Sequence, residues 1–190
     1  MRVFLSLVFA SAAFCAADPQ KYSYWVEPCT RSEQACVEND PQLAEWAFGA
    51  WQTSSRGALE LHRVQDVRGA RIRIYWATAE QGLYGETRPV LVDGQRGAEV
   101  YVRPAPFPIN GDKLLRDAIV YLTCLHETGH ALGLMHTDVF DDIMYSFQYG
   151  GDIPEYFGRY RRLLHSRDDI RKNSGMSEAD RKHLLMVLAQ

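Results

Sequence analysis

Three histidines and a glutamate carry the chemistry this sequence offers: residues 126–136 read His-Glu-Thr-Gly-His-Ala-Leu-Gly-Leu-Met-His. Residues four apart on a helix share a face, about 6 Å from one another, so His126 and His130 can aim ring nitrogens at one metal ion. Gly133 can take a backbone conformation that ends the helix and turns the chain, bringing His136 back to the same ion as a third ligand. Three neutral imidazoles suit Zn²⁺, and a tetrahedral ion so held keeps its fourth position open for water. Glu127, beside the first ligand, is placed to reach that water. It is the natural general base, taking a proton as the water attacks a carbonyl and passing it to the leaving amine. In a chain of this composition His-Glu-x-x-His arises by chance with odds of about one in a hundred, and Gly133 and His136 lower this to a few in a hundred thousand, which favours a metal site over a helix with surface histidines. Cys124 projects about 200° around the helix from His126 and reads as a buried thiol, and His62, His165 and His183 as surface residues.

These residues need a helix to hold them. The spacing of Leu115, Ala118, Ile119, Leu122 and Leu125 predicts one from about Asp112 to Leu132, with a single apolar stripe facing a sheet. Tyr22–Val26 reads as a short strand. Asp40-Pro41 opens a helix, with Asp40 as cap and Leu43, Trp46, Ala47, Ala50 and Trp51 on its apolar face, and Gly57 marks its end or the loop beyond. Ala58–Val64 and Ala70–Trp76 alternate apolar and polar residues as half-buried strands do, and are expected to be neighbours. A loop at Gln81–Glu86 leads to Pro89–Val92, then Asp93-Gly94-Gln95-Arg96-Gly97, then Ala98–Val102; a hairpin or a bulged edge fits that punctuation, and Pro89 points to an edge strand. After the proline-rich break at Pro104–Pro108 comes the long helix. Ser177-Glu178-Ala179-Asp180 looks like a capping box for a closing helix with Leu184, Leu185, Val187 and Leu188 on its apolar face.

Met1-Arg2, the apolar run Val3–Phe14 and the small residues Cys15-Ala16-Ala17 before Asp18-Pro19 read as a secretory signal peptide over residues 1–17, leaving 18–190 as one domain. No other run is long and apolar enough for a membrane span. Export to an oxidising compartment makes a Cys29–Cys36 disulfide the expected pairing, with a ring that the loop-entropy model values at about 2.5 kcal/mol. The whole chain has 190 residues, 46% of them hydrophobic, and a formal charge of −3, which suits one globular domain and gives no global argument for nucleic acid or an anionic membrane. Arg159–Lys172 holds six basic and two acidic residues, read as a solvated face with an acidic-partner patch as the alternative.

With the zinc motif, Asp142-Ile143-Met144-Tyr145-Ser146 is the second quoted element, and together they make the sequence resemble the metzincin zinc endopeptidases, most closely the matrixin-like branch. The resemblance implies an α+β zincin-like domain: a mixed twisted sheet with an antiparallel edge strand, the motif helix, a Met-turn and a C-terminal helix. It implies that Met144 packs beneath the three histidines without coordinating, and that Gly133 supports the turn. It implies an edge strand, Pro89–Val92 or Ala98–Val102, to which an extended peptide adds, and a pocket wall at about Tyr145–Tyr149. Ser146 stands where astacin-like members place a further tyrosine ligand. No cysteine-switch segment precedes the domain, so that form of latency is not expected. The loop that holds structural zinc and calcium in animal matrixins is not evident between Ala77 and Val102, which leaves a second zinc or a calcium open.

The expectation is therefore a secreted, extracellular or periplasmic zinc metalloendopeptidase. It would hold one catalytic Zn²⁺ on His126, His130 and His136, use Glu127 as base and act as a monomer on peptide or protein substrates, without nucleic acid or membrane. Two alternatives share the site: a catalytically silent metal- or peptide-binding domain, and a zinc hydrolase of non-peptide amides or esters.

Overall fold

The structure, a computed structural model, describes residues 18–30, 36–78, 84–104 and 111–190. The expected signal peptide at 1–17, residues 31–35 between the paired cysteines, much of the 81–86 loop and most of the proline-rich break lie outside the described residues. The elements run β1 (Gln20–Val26), α1 (Asp40–Ser54), β2 (Leu59–Arg63), β3 (Ile72–Trp76), β4 (Gly85–Val92), β5 (Gln95–Val102), α2 (Lys113–Leu132), α3 (Ile153–Arg161) and α4 (Glu178–Leu188). The fold is α+β, with a five-stranded mixed sheet in the order β2-β1-β3-β5-β4.

All sheet pairings are parallel except β4 with β5. Asp93 and Gly94 both have positive φ, 51° and 76°, as a two-residue hairpin turn matched to strand twist requires. This makes β4 the edge, as Pro89 suggested. The expected adjacency of β2 and β3 is corrected: β1 lies between them. The register explains the difference, because β2 pairs with Gln20–Tyr24 and β3 with Tyr24–Val26, so the chain crosses β1 sideways without running back along it. Ser23 fixes that crossing by donating its hydroxyl to the Gly69 carbonyl at 2.8 Å.

The motif helix starts where the sequence placed it, since Asp112 accepts from the Leu115 amide at 2.9 Å as a side-chain cap does. Its single stripe is corrected. Val120, Tyr121, Thr123 and Cys124 are buried along with Ala118, Ile119, Leu122 and Leu125, because α1 and α3 pack on α2 as well as β4 and β5. A helix covered on several sides has no solvent face for a stripe to stand against.

The N-cap position of helix α1 falls on Asn39, not Asp40, and no side chain caps it. Asp40 is fully buried and paired with the equally buried Arg116 of α2, an interaction no local pattern announces. Trp46 is half-buried under the guanidinium groups of Arg167 and Arg171, and Ala44 and Phe48 take its expected place in the core. The cations of the 159–172 segment are mostly partnered: Arg159 with Asp141, Arg161 with Asp112, Arg162 with Glu155, Arg167 with Asp117 and Lys172 with Asp169.

Cys29 and Cys36 form the expected disulfide, which is compatible with an extracellular protein. No helix among the described residues is long and apolar enough to cross a membrane. The capping box at Ser177 and Asp180 is present, and it opens α4.

Candidate metal centre

His126, His130 and His136 come together at the C-terminal end of α2. Gly133 adopts φ +106°, the left-handed conformation that glycine takes without a Cβ penalty. Its amide donates to the His130 carbonyl at 2.9 Å, and that of Leu134 to the Gly129 carbonyl at 3.0 Å, the paired bonds of a Schellman end. The same turn does a second job: the Leu134 carbonyl, thrown back along the helix, accepts from Nδ1 of His130 at 2.9 Å.

The next stretch closes the site from below. Thr137 donates its amide to the Met144 carbonyl and accepts from the Ser146 amide, at 2.9 and 3.1 Å, so the residue after the third ligand is zipped to the Met144 turn. The carbonyl of Ile143 accepts from Nδ1 of His126 at 2.7 Å. Met144 is fully buried, and its sulfur lies where a Cβ on Gly129 would sit, 2.5 Å from that position.

These bonds decide which nitrogens are free. A carbonyl only accepts, so Nδ1 of His126 and of His130 must carry the proton, and Nε2 of each neutral ring presents a bare lone pair. Both point at Nε2 of His136, at 3.3 and 3.0 Å. Ligands about 2.05 Å from a tetrahedral zinc stand about 3.3 Å apart. Converging lone pairs at that separation fit a shared cation, and the three histidines are positioned to bind one, consistent with zinc. Burial pushes the His126 ring down to about 3, with the charge of His130 adding and the Ile143 bond opposing. It lowers His130 and His136 as well, which favours the neutral rings that ligation requires.

Glu127 is buried beside them and lines the same cleft of about 480 Å³. Burial pushes its carboxyl up to about 7, opposed by a hydrogen bond from Thr87 and assisted by the nearby Glu86 charge. The cleft runs between the start of β4, at Tyr84–Thr87, and a wall formed by Tyr145–Gln148 with Tyr156 and Phe157 of α3. Of the two candidate edge segments, one lies in an edge strand and the other does not. Ala98–Val102 lies inside the sheet, and Pro89–Val92 belongs to the edge strand but not to the part that lines the cleft. Gly85 and Glu86, expected as the end of the Gln81–Glu86 loop, are strand instead, paired with Val102 and Tyr101.

Compared with known proteins, the chain matches no family model and no curated sequence. The cluster itself has the spacing of a zinc-binding His-Glu-x-x-His helix with a third histidine six residues on.

Sequence reasoning missed the supports. Asp180, on α4, accepts from the amides of Ile143 and Met144 at 2.8 and 3.3 Å, and from that of Ser177 at 2.8 Å. Its place in a capping box was legible, but its hold on the loop 36 residues upstream was not. Asp180→Ala strands these amides, two of them at buried bonds, and is expected to cost about 1–3 kcal/mol by denaturant unfolding and to weaken zinc retention in a chelator titration. Gly129 was equally silent. A Cβ there would meet Met144 Sδ at 2.5 Å and Trp51 Cζ2 at 2.9 Å, and Trp51 is itself held by its indole bond to the Leu125 carbonyl. Gly129→Ala is therefore expected to destabilise by about 1–3 kcal/mol through overpacking, despite alanine being the better helix former, as a thermal melt would show.

Proposed function

We propose that this chain is a secreted zinc-dependent endopeptidase of the metzincin kind, most similar to the matrixin-like branch. The observation that carries the reading is the convergence of three histidine rings, two of them with Nε2 bare, in one cleft with a buried glutamate, next to the start of an antiparallel edge strand. His126, His130 and His136 would hold the ion. When bound, zinc supplies a Lewis acid that polarises a carbonyl and lowers the pKa of a water.

The chain's own groups do the rest. Among the described residues β4 pairs only with β5, so its outer edge offers backbone donors and acceptors to an extended peptide lying along the cleft. Glu127 takes one proton from the water as its oxygen bonds to the carbonyl carbon, and returns it to the amine nitrogen as the carbon–nitrogen bond breaks. A carboxyl raised by burial holds that proton more readily than a solvated one, which suits a group that must both take and give it. Phe147, Tyr156 and Phe157 give the cleft an aromatic wall. A base beside three metal ligands also separates this reading from a silent binding domain, which has no use for it.

The test is zinc content together with cleavage of an unbiased peptide library by the secreted protein. One zinc per chain and cleavage that stops on chelation are expected. One zinc per chain with no peptide cleaved would overturn the endopeptidase reading.

A further inference from the structure

We propose that Thr87, on the edge strand, is a positioning residue that holds the carboxyl group of Glu127 in both of the states the reaction passes through; this rests on the endopeptidase reading above. Along β4 successive side chains alternate in direction. Glu86 and Arg88 point to solvent, where they pair with each other at 2.8 Å, while Gly85 and Thr87 face α2.

At Gly85 the strand comes as close to Glu127 as a chain can. A Cβ there would lie 2.5 Å from Cγ and 2.7 Å from Oε1 of Glu127. Two residues on, the Thr87 hydroxyl sits 2.7 Å from Oε2 of Glu127 and 2.9 Å from the Glu127 backbone carbonyl. The missing side chain at 85 admits the glutamate, and the hydroxyl at 87 grips it.

A hydroxyl has one proton and two lone pairs, and here it has two acceptors to choose between. When Glu127 is a carboxylate, Thr87 donates to Oε2. When Glu127 has taken the proton of the attacking water on its other oxygen, Oε2 becomes the carbonyl oxygen of the acid and still accepts from Thr87. Both states keep this bond without movement of the carboxyl group. A base that hands its proton on to the leaving amine therefore keeps one geometry through the cycle. No other described side chain is recorded bonding to this carboxyl group.

The experiment compares the zinc-loaded protein with Thr87→Val, Thr87→Ser and Gly85→Ala, on one peptide drawn from the library, reading kcat, KM, zinc content and melting temperature. Valine keeps the shape and removes the hydroxyl; kcat is expected to fall about tenfold or more, with KM within about twofold and one zinc retained. Serine is expected to restore kcat to within about threefold, and Gly85→Ala to lower kcat with zinc retained. Wild-type kcat in Thr87→Val overturns the proposal. So does a loss that serine does not rescue, or one that tracks zinc content or melting temperature. Should Thr87→Val fail to fold, Thr87→Ala, which also lacks the hydroxyl, takes its place with the same expected and overturning results. Absence of cleavage by the unmodified protein overturns the endopeptidase reading and this role with it, and the wild-type rate tells that failure from a failure of Thr87 alone.

Discussion

Glu127→Gln is expected to lower peptide turnover by about 10²–10⁴-fold while one zinc per chain stays bound. The amide has the size of the carboxyl group and can accept from Thr87 at 2.7 Å, but it cannot take a proton from water at neutral pH. The ligands are untouched: His126 and His130 keep the Ile143 and Leu134 carbonyls that orient them, and His136 stays zipped through Thr137. Stability should not fall, because burial disfavours the glutamate charge and a neutral amide removes that cost. Steady-state kinetics with metal analysis on the same preparation checks this. Loss of activity accompanied by loss of zinc would instead make Glu127 a support for the metal.

Asp40→Ala is expected to cost about 3–5 kcal/mol of folding stability, the largest effect of any substitution away from the metal centre. Asp40 and Arg116 have no accessible surface, and their carboxylate and guanidinium meet through two hydrogen bonds. The next nearest anion, Asp117, is 3.6 Å from Arg116 and is already engaged by Arg167. Removing Asp40 therefore strands a buried cation whose Nε already lacks a partner. It also releases the Val37 amide, which donates to Asp40 at 2.9 Å one residue beyond the disulfide cysteine. Replacing both partners, as in Asp40→Leu with Arg116→Met, removes the charges together and should cost far less. Urea unfolding of the two single variants and the double variant measures the coupling, and additive single losses would show that the pair is not the cause.

Because Asp40 joins the start of α1 to the start of α2, this pair sets the angle at which the motif helix lies on α1. At the other end of the same contact Trp51 donates to the Leu125 carbonyl and to Thr128 at 3.0 and 3.1 Å, within a turn of the first two ligands. The histidine cluster and Glu127 are thus held by α1 from behind, by the Met144 turn and Asp180 from below, and by β4 from the cleft side.

The amino-acid sequence alone determined which residues converge at the candidate metal centre. His126, Glu127, His130, Gly133 and His136 lie within eleven residues, so helix periodicity and one left-handed glycine suffice to converge them. The cysteine pair, the edge strand with its Asp-Gly turn and the capping box at Ser177 were legible for the same reason: each is a rule about neighbours in the chain. What only the tertiary structure decided is everything that acts across distance. The Asp40–Arg116 pair spans 76 residues, Thr87 reaches Glu127 across 40, and Asp180 reaches Met144 across 36. A lone threonine, aspartate or glycine carries no local signal of its partner. Which nitrogen of His126 and of His130 is bare, and which half of β4 lines the cleft, depend on carbonyls and strand registers that exist only once the sheet and the helices have packed.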